Sequence, residues 1–231
     1  MKILALIVAR GGSKRLPEKN TRILGGKPLV VWSIDVVKKN PIVCDILVST
    51  DSEKIANICR EAGAYVPWLR PPELATDQAS SVDVAIHALS WYETNHGVVD
   101  GLLLLQPTSP FRTVANVLEA IHLFVSNGLQ PVLSVSVAKP HPSWTFRLDM
   151  NHIVPYIERD GLYRPPKDLP QAYAPNGSIY LISPDDLRQN RSFFQPKAIP
   201  LFITAPQEAL DIDTHWDFKI AECTLDLMNA T

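Results

Sequence analysis

Cysteine is scarce in this chain: three residues in 231, at Cys44, Cys59 and Cys223. Their odd number and scattered positions exclude a disulfide framework, and no CxxC or Cys/His spacing is present that would build a thiolate zinc centre. They are expected to be free, buried thiols in a reducing compartment. An excess of one charge is also missing. Lys and Arg number 22 against 24 Asp and Glu, a net charge of −2, so no basic field invites nucleic acid and any anion-binding site must be local. The apolar run at the N terminus, Ile3 to Ala9, is seven residues long. A membrane span needs about 20, and no small-residue cleavage site follows, so the run predicts a buried strand of a cytoplasmic protein without membrane contact. Neither GxxxxGK[ST] nor GxGxxG occurs, which excludes a P-loop kinase and a dinucleotide fingerprint.

What is present is an ordinary globular composition, 46% hydrophobic and 20% charged, with length for one domain and a sizeable core. Apolar runs of strand length lie at Ile3–Ala9, Asp45–Ser49, Gly101–Leu105 and Val132–Val137. Stretches with helical spacing separate them: Leu29 to Lys39, Ser52 to Ala62, Val82 to Tyr92 and Val114 to Val125, the last capped by Thr113. Strands apolar throughout and separated by helices predict a doubly wound α/β fold with a mostly parallel sheet covered on both faces. The pattern breaks over residues 139–175. Pro140, Pro142, Pro155, Pro165, Pro166, Pro170 and Pro175 rule out a long regular helix there. That stretch is expected to form extended strands and loops, an arm protruding from one domain that spans 1–231. Strand character returns at Ser178–Ser183 and Ala198–Thr204, and a last helix is expected from Thr214 to Met228.

Ligands of open α/β sheets bind at the carboxyl ends of strands. Behind the first strand stands Arg10-Gly11-Gly12-Ser13-Lys14-Arg15-Leu16-Pro17-Glu18-Lys19-Asn20. Two glycines permit close backbone approach, and Arg10, Lys14, Arg15 and Lys19 add positive charge, a combination suited to a triphosphate. Near the other end, Asp211 and Asp213 precede the final helix. Residues two apart in an extended segment project to one side, so both carboxylates could meet one hard cation; equally, Asp213 or Thr214 could simply cap the helix. Gln106-Pro107-Thr108-Ser109-Pro110 follows a buried strand, and its prolines fix a loop presenting an amide and two hydroxyls, suited to a polyhydroxylated sugar. His87 falls inside a predicted helix and His141 in the proline-rich stretch, so histidine catalysis is not expected.

ARGGSKRLPEKN resembles the signature loop of the CMP-sialic acid synthetases, the acylneuraminate cytidylyltransferases, a group with wider relatives acting on KDO, legionaminic and pseudaminic acids. Further matching segments follow in order: Ser49-Thr50-Asp51, Leu69 to Asp77, Leu105 to Arg112, Asn176 to Tyr180, and Asp211 to Thr214. The resemblance spans essentially the whole chain. It implies a Rossmann-like nucleotidyltransferase that uses Mg²⁺, with Mn²⁺ as a substitute, on Asp211 and Asp213, with Arg10 and Lys19 also catalytic. CTP would meet Arg10, Gly11, Gly12, Ser13, Lys14, Lys19, Asn20, Arg70, Ala79, Ser80 and Ser81. The acidic nonulosonic sugar would meet Gln106, Thr108, Ser109, Arg164, Tyr173, Asn176, Phe193 and Phe194, the aromatic pair against the N-acyl methyl. By family analogy the 139–175 lobe would join a homodimer and reach the sugar pocket.

One departure bears on the sugar. Relatives of this kind place arginines where this chain has Pro166 and Ala174, which leaves Arg164, and less directly Arg159, to meet the sugar carboxylate. The expected reaction is attack of the anomeric hydroxyl on the α-phosphorus of CTP with loss of pyrophosphate, a transfer that needs positioning and charge neutralisation above all. The alternatives are the same chemistry on KDO or pseudaminic acid, or a non-catalytic nucleotide-binding protein of this fold.

Overall fold

The computed structural model describes residues 1–157 and 164–230. In chain order the first half contains β1 (Ile3–Val8), the short pair β2 (Ile23–Leu24) and β3 (Lys27–Pro28), α1 (Leu29–Asp35), β4 (Val43–Ser49), α2 (Glu53–Glu61) and α3 (Ser81–His96). Then come β5 (Gly101–Leu105), α4 (Val114–Ser126), β6 (Val132–Val137) and the hairpin strands β7 (Phe146–Asp149) and β8 (His152–Pro155). The chain closes with β9 (Tyr173–Ile182), α5 (Pro184–Asn190), β10 (Ile199–Phe202) and α6 (His215–Ala230). Among the described residues no helix is long and apolar enough to cross a membrane.

The six-stranded sheet runs β10-β6-β9-β5-β1-β4. β1 pairs in parallel with β4 and β5, β6 with β10, and β9 runs antiparallel to both of its neighbours. The alternation of β1 explains the two-faced core. Ile3, Ala5 and Ile7 pack with Val30, Ile34, Ile55, Val117 and Phe124 on one side, while Leu4 and Leu6 pack with Ala85, Ala88, Leu89 and Leu187 on the other. Each buried Val, Leu, Ile or Phe among them stabilises the fold by about 1.5–3 kcal/mol. Ser52, Ser80, Thr113 and Ser183 each cap a helix by accepting a hydrogen bond from a backbone N–H of the first turn.

A third cluster binds the site together: Leu16, Leu24, Leu29, Phe111, Ile212 and Phe218 are buried against one another. It ties the basic loop, the β5–α4 loop and the segment before α6 into one body.

Several expectations change in detail. β9 begins at Tyr173 and not Ser178, and it contains Pro175. The proline is tolerated because β5 pairs only with residues 180–182 of β9, so the earlier part has β6 alone as partner, through an irregular register near Leu133 and Val135. α3 continues to His96, where Gly97 with φ +86° ends it. α1 stops at Asp35, and Val36–Lys39 tighten into turns. α5 was not anticipated, although Ser183-Pro184 is a helix-start pair. Of the cysteines only Cys59 is buried, its thiol pushed up to about 12 by burial; Cys44 and Cys223 are exposed. Residues 139–175 hold the β7–β8 hairpin, with Leu148 78% and Met150 94% exposed.

Candidate active site

Two adjoining clefts open at the carboxyl ends of β1 and β5. The first, about 580 Å³, is lined by the basic loop, by Arg70, Thr76, Asp77, Ala79 and Ser81, and by Gln106, Thr108, Asp211 and Asp213. The second, about 610 Å³, is lined by Ser136 to Lys139, Ala174 to Gly177, Tyr180 and Phe194. Gln106 and Asp211 line both.

The loop of the first cleft is fixed from below. Leu16 is fully buried, Gly11 N–H donates to Asp51 Oδ1 at 2.7 Å, and Asn20 Nδ2 donates to the Arg10 carbonyl at 2.8 Å. Its cations are gathered by two carboxylates. Arg10 and Lys14 meet Asp77 at 2.7 and 2.5 Å, and Arg15 and Lys19 meet Asp213 at 2.8 and 3.0 Å. The hydrogen bond from Lys14, then that from Arg10, holds Asp77 below the usual carboxylate range. Four positive groups therefore face one concavity with their charge only partly cancelled, a field that favours a polyphosphate.

Asp211 and Asp213 share a side because Ile212 between them is fully buried, its N–H donating to the Thr108 carbonyl at 2.8 Å. The capping alternative resolves in favour of Thr214: its hydroxyl accepts from Asp217 N at 3.3 Å, while Asp217 accepts from Asp213 N and Thr214 N. The Asp213 carboxylate is thus left to face the loop. Burial above all raises the pKa of Asp211; Asp213 adds to the rise, while a Thr108 hydrogen bond and Lys19 oppose it. Such a pair fits a divalent cation, which would relieve the unfavourable charge. Among the described residues no group of three or more His, Cys, Asp or Glu could hold a metal, but Mg²⁺ characteristically takes one or two carboxylates and completes its shell with water and phosphate.

Not every expected residue faces a cleft. Arg10, Ser13, Lys14, Lys19, Asn20, Arg70, Ala79, Ser81, Gln106, Thr108, Asp211 and Asp213 line the first, and Asn176 and Phe194 the second. Gly11 and Gly12 line neither, and Ser80 serves as the α3 cap, its hydroxyl donating to Asp83 Oδ2 at 2.7 Å. Ser109 is buried behind the loop, and Phe193 is buried in the core against Tyr180. Tyr173 is exposed and packs on Phe202, ring centroids 4.9 Å apart. Arg164 is exposed and lines neither cleft; Arg159 lies outside the described residues. Asn176 commits its amide to the sheet, accepting from Ser134 Oγ at 2.6 Å and donating to Ser136 Oγ at 2.9 Å. Arg70 is buried, its Nε donating to Ser49 Oγ at 3.0 Å, and burial lowers its pKa to about 10.

Sequence reasoning assigned no role to Asp77, Lys139 or Tyr180. Asp77 and Tyr180 stand inside segments that carry the resemblance, whereas Lys139 borders the proline-rich stretch with no local signal. Gly177 lies in the irregularly paired part of β9. Its φ of +77° and the 3.3 Å from a built Cβ to Gln106 Oε1 show that a larger residue would press on the wall between the clefts.

A family model described as cytidylyltransferase matches residues 4–195. The chain is 38% identical to the CMP-N,N'-diacetyllegionaminic acid synthase of Legionella pneumophila, over 98% of this chain and 97% of that protein. It is also 38% identical to the N-acylneuraminate cytidylyltransferase of Streptococcus agalactiae over 94% of this chain, and spans about half (52%) of that longer relative. The solved structure of CMP:2-keto-3-deoxy-manno-octonic acid synthetase complexed with CTP shares the fold, with TM-score 0.72 and 14% identity, covering 99% of this chain and 100% of that one.

Proposed function

Because the chain belongs to the cytidylyltransferase family, we propose that it transfers CMP from CTP to the anomeric hydroxyl of a sialic-acid-type nonulosonic acid, an N-acylneuraminate or legionaminate, in the cytoplasm. One observation carries this reading: a cation-lined cleft adjoins a second cleft, and the two share Gln106 and Asp211. A nucleotide triphosphate in the first and a sugar in the second would meet at that shared wall.

Arg10, Lys14, Arg15 and Lys19 exchange their carboxylate partners for phosphate oxygens and take up charge on the departing pyrophosphate. Asn20, Arg70, Ala79 and Ser81 shape the part of the cleft that receives the nucleoside. Gln106 faces the sugar, and Phe194 offers a ring to its N-acyl group. Among the described residues Lys139 is the cation on the second wall, and it meets the sugar carboxylate where the expected arginines are replaced by Pro166 and Ala174. Asp211 and Asp213 would hold a divalent cation, Mg²⁺ or in its place Mn²⁺, which when bound would supply positive charge to the substrate phosphates. The anomeric hydroxyl gives its proton to solvent and its oxygen bonds to the α-phosphorus as the bond from that phosphorus to pyrophosphate breaks, and the residues named hold the two in line.

The test is pyrophosphate release with CTP and Mg²⁺ across N-acetylneuraminic, legionaminic, pseudaminic and KDO acids. Turnover of either of the first two is expected. Turnover of pseudaminic acid or KDO alone would replace the substrate assigned here, and CTP binding with no release from any acid would make this a non-catalytic nucleotide-binding protein. We further propose that the chain works as a homodimer joined through the 139–175 lobe, whose hairpin exposes Leu148, Met150 and Ile153. A monomer on sizing at micromolar concentration would reject the dimer.

A further inference from the structure

Arg112 lines neither cleft, and its guanidinium is buried. Nε donates to the Ser178 carbonyl at 2.6 Å, Nη1 to Ser33 Oγ at 3.1 Å, and Nη2 to the Gln106 carbonyl at 2.8 Å. Burial lowers its pKa to about 9, and no carboxylate among the described residues offsets that cost. A cation buried without a counter-charge is a poor way to fill a core, since a hydrophobic side chain of similar volume would do so at less cost. What arginine alone supplies is a rigid fork that reaches several acceptors at fixed angles.

Those acceptors bracket the second cleft. Gln106 lines both clefts, and Ser178 directly follows Asn176 and Gly177, which wall the second cleft from the irregularly paired part of β9. Ser33 belongs to α1 and also donates to the Gln106 carbonyl at 3.5 Å, so the network closes on itself. Gln106 and Gly177 already stand close, as the short approach of a Cβ built at Gly177 shows.

We propose that Arg112 is a positioning residue for the acceptor sugar. Its fork sets the spacing between Gln106 and residues Asn176 and Gly177 of β9, and hence the alignment of the sugar hydroxyl with the nucleotide, without touching either substrate. This rests on the reaction proposed above.

The experiment compares wild type with Arg112→Met and Arg112→Lys, using the acid that wild type turns over. It measures kcat/KM for the sugar by pyrophosphate release and CTP affinity by calorimetry. Misplacement of a reacting group by about 1 Å costs on the order of 100-fold, so a loss of about that size in kcat/KM for the sugar is expected, with CTP affinity unchanged. Arg112→Lys keeps the charge and loses the fork, and is expected to recover little. Full activity of Arg112→Met, full rescue by Arg112→Lys, equal losses for CTP and sugar, or failure of both variants to fold would each overturn the assignment. Wild-type silence with every acid would instead remove the reaction reading, and this inference with it; wild-type turnover beside an unaffected variant refutes only the role of Arg112.

Discussion

Phe193 and Phe194 are adjacent in sequence and opposite in environment, so truncating each should separate stability from substrate recognition. Phe193 is 5% exposed and packs with Leu187, Ile182 and Tyr180, its ring centroid 5.6 Å from that of Tyr180. Removing such a ring costs about 3–5 kcal/mol. For a chain of this length each kcal/mol lowers Tm by roughly 2–4 °C, so Phe193→Ala is expected to melt about 6–20 °C lower. Phe194 is 59% exposed, stands edge-on to Tyr180 at 6.0 Å and lines the second cleft. Phe194→Ala should cost the empty protein under about 1 kcal/mol. A methyl group packed against the Phe194 ring is worth about 0.8 kcal/mol, or about fourfold in KM for an N-acylated sugar. Calorimetry gives both melting temperatures, and pyrophosphate release at a temperature where both variants are folded gives both KM values. Equal melting of the two variants, or an unchanged sugar KM for Phe194→Ala, would refute the assignment.

Asp211→Asn is expected to abolish turnover and to raise Tm at neutral pH. The folded-state pKa of Asp211 is raised, chiefly by burial, so the protonated acid favours the folded state. That contribution is full below the ordinary value of 3.8 and is lost as pH rises through the folded pKa. The gain in Tm should therefore shrink towards zero at acid pH, and a variant less stable than wild type at pH 7 would contradict the reasoning. Asp77→Asn should tighten CTP binding a few-fold and steepen its dependence on salt, because Asp77 competes with phosphate for Arg10 and Lys14; weaker binding in isothermal titration would show instead that Asp77 holds those cations ready for the nucleotide.

Legibility followed locality. β1, its loop and the cap at Thr113 are set by neighbouring residues, so composition and spacing located them. The Asp211/Asp213 pair was legible as two carboxylates on one side; that Thr214 and not Asp213 caps α6 depends on Asp217 reaching back, which spacing left undecided. Non-local facts stayed hidden. Phe193 and Phe194 read alike in sequence, and only the packing of α5 and Tyr180 separates them. Arg112 reads as a loop residue after two prolines, yet it bonds to residues 66 and 79 positions away. The early start of β9 hid behind Pro175, whose exclusion from strands lapses where a strand has one neighbour.

The reversed direction of β9 has a consequence for how this molecule diversifies. Running against β5 and β6, it brings its first residues, not its last, to the ligand-bearing edge of the sheet. The first cleft draws mainly on residues 8–84, and much of the second on 136–139, 174–177 and 194. Gln106 and Asp211 are the seam. Under the proposed reaction, variation confined to the later segments would reshape the second cleft while the cation-lined first cleft is left untouched.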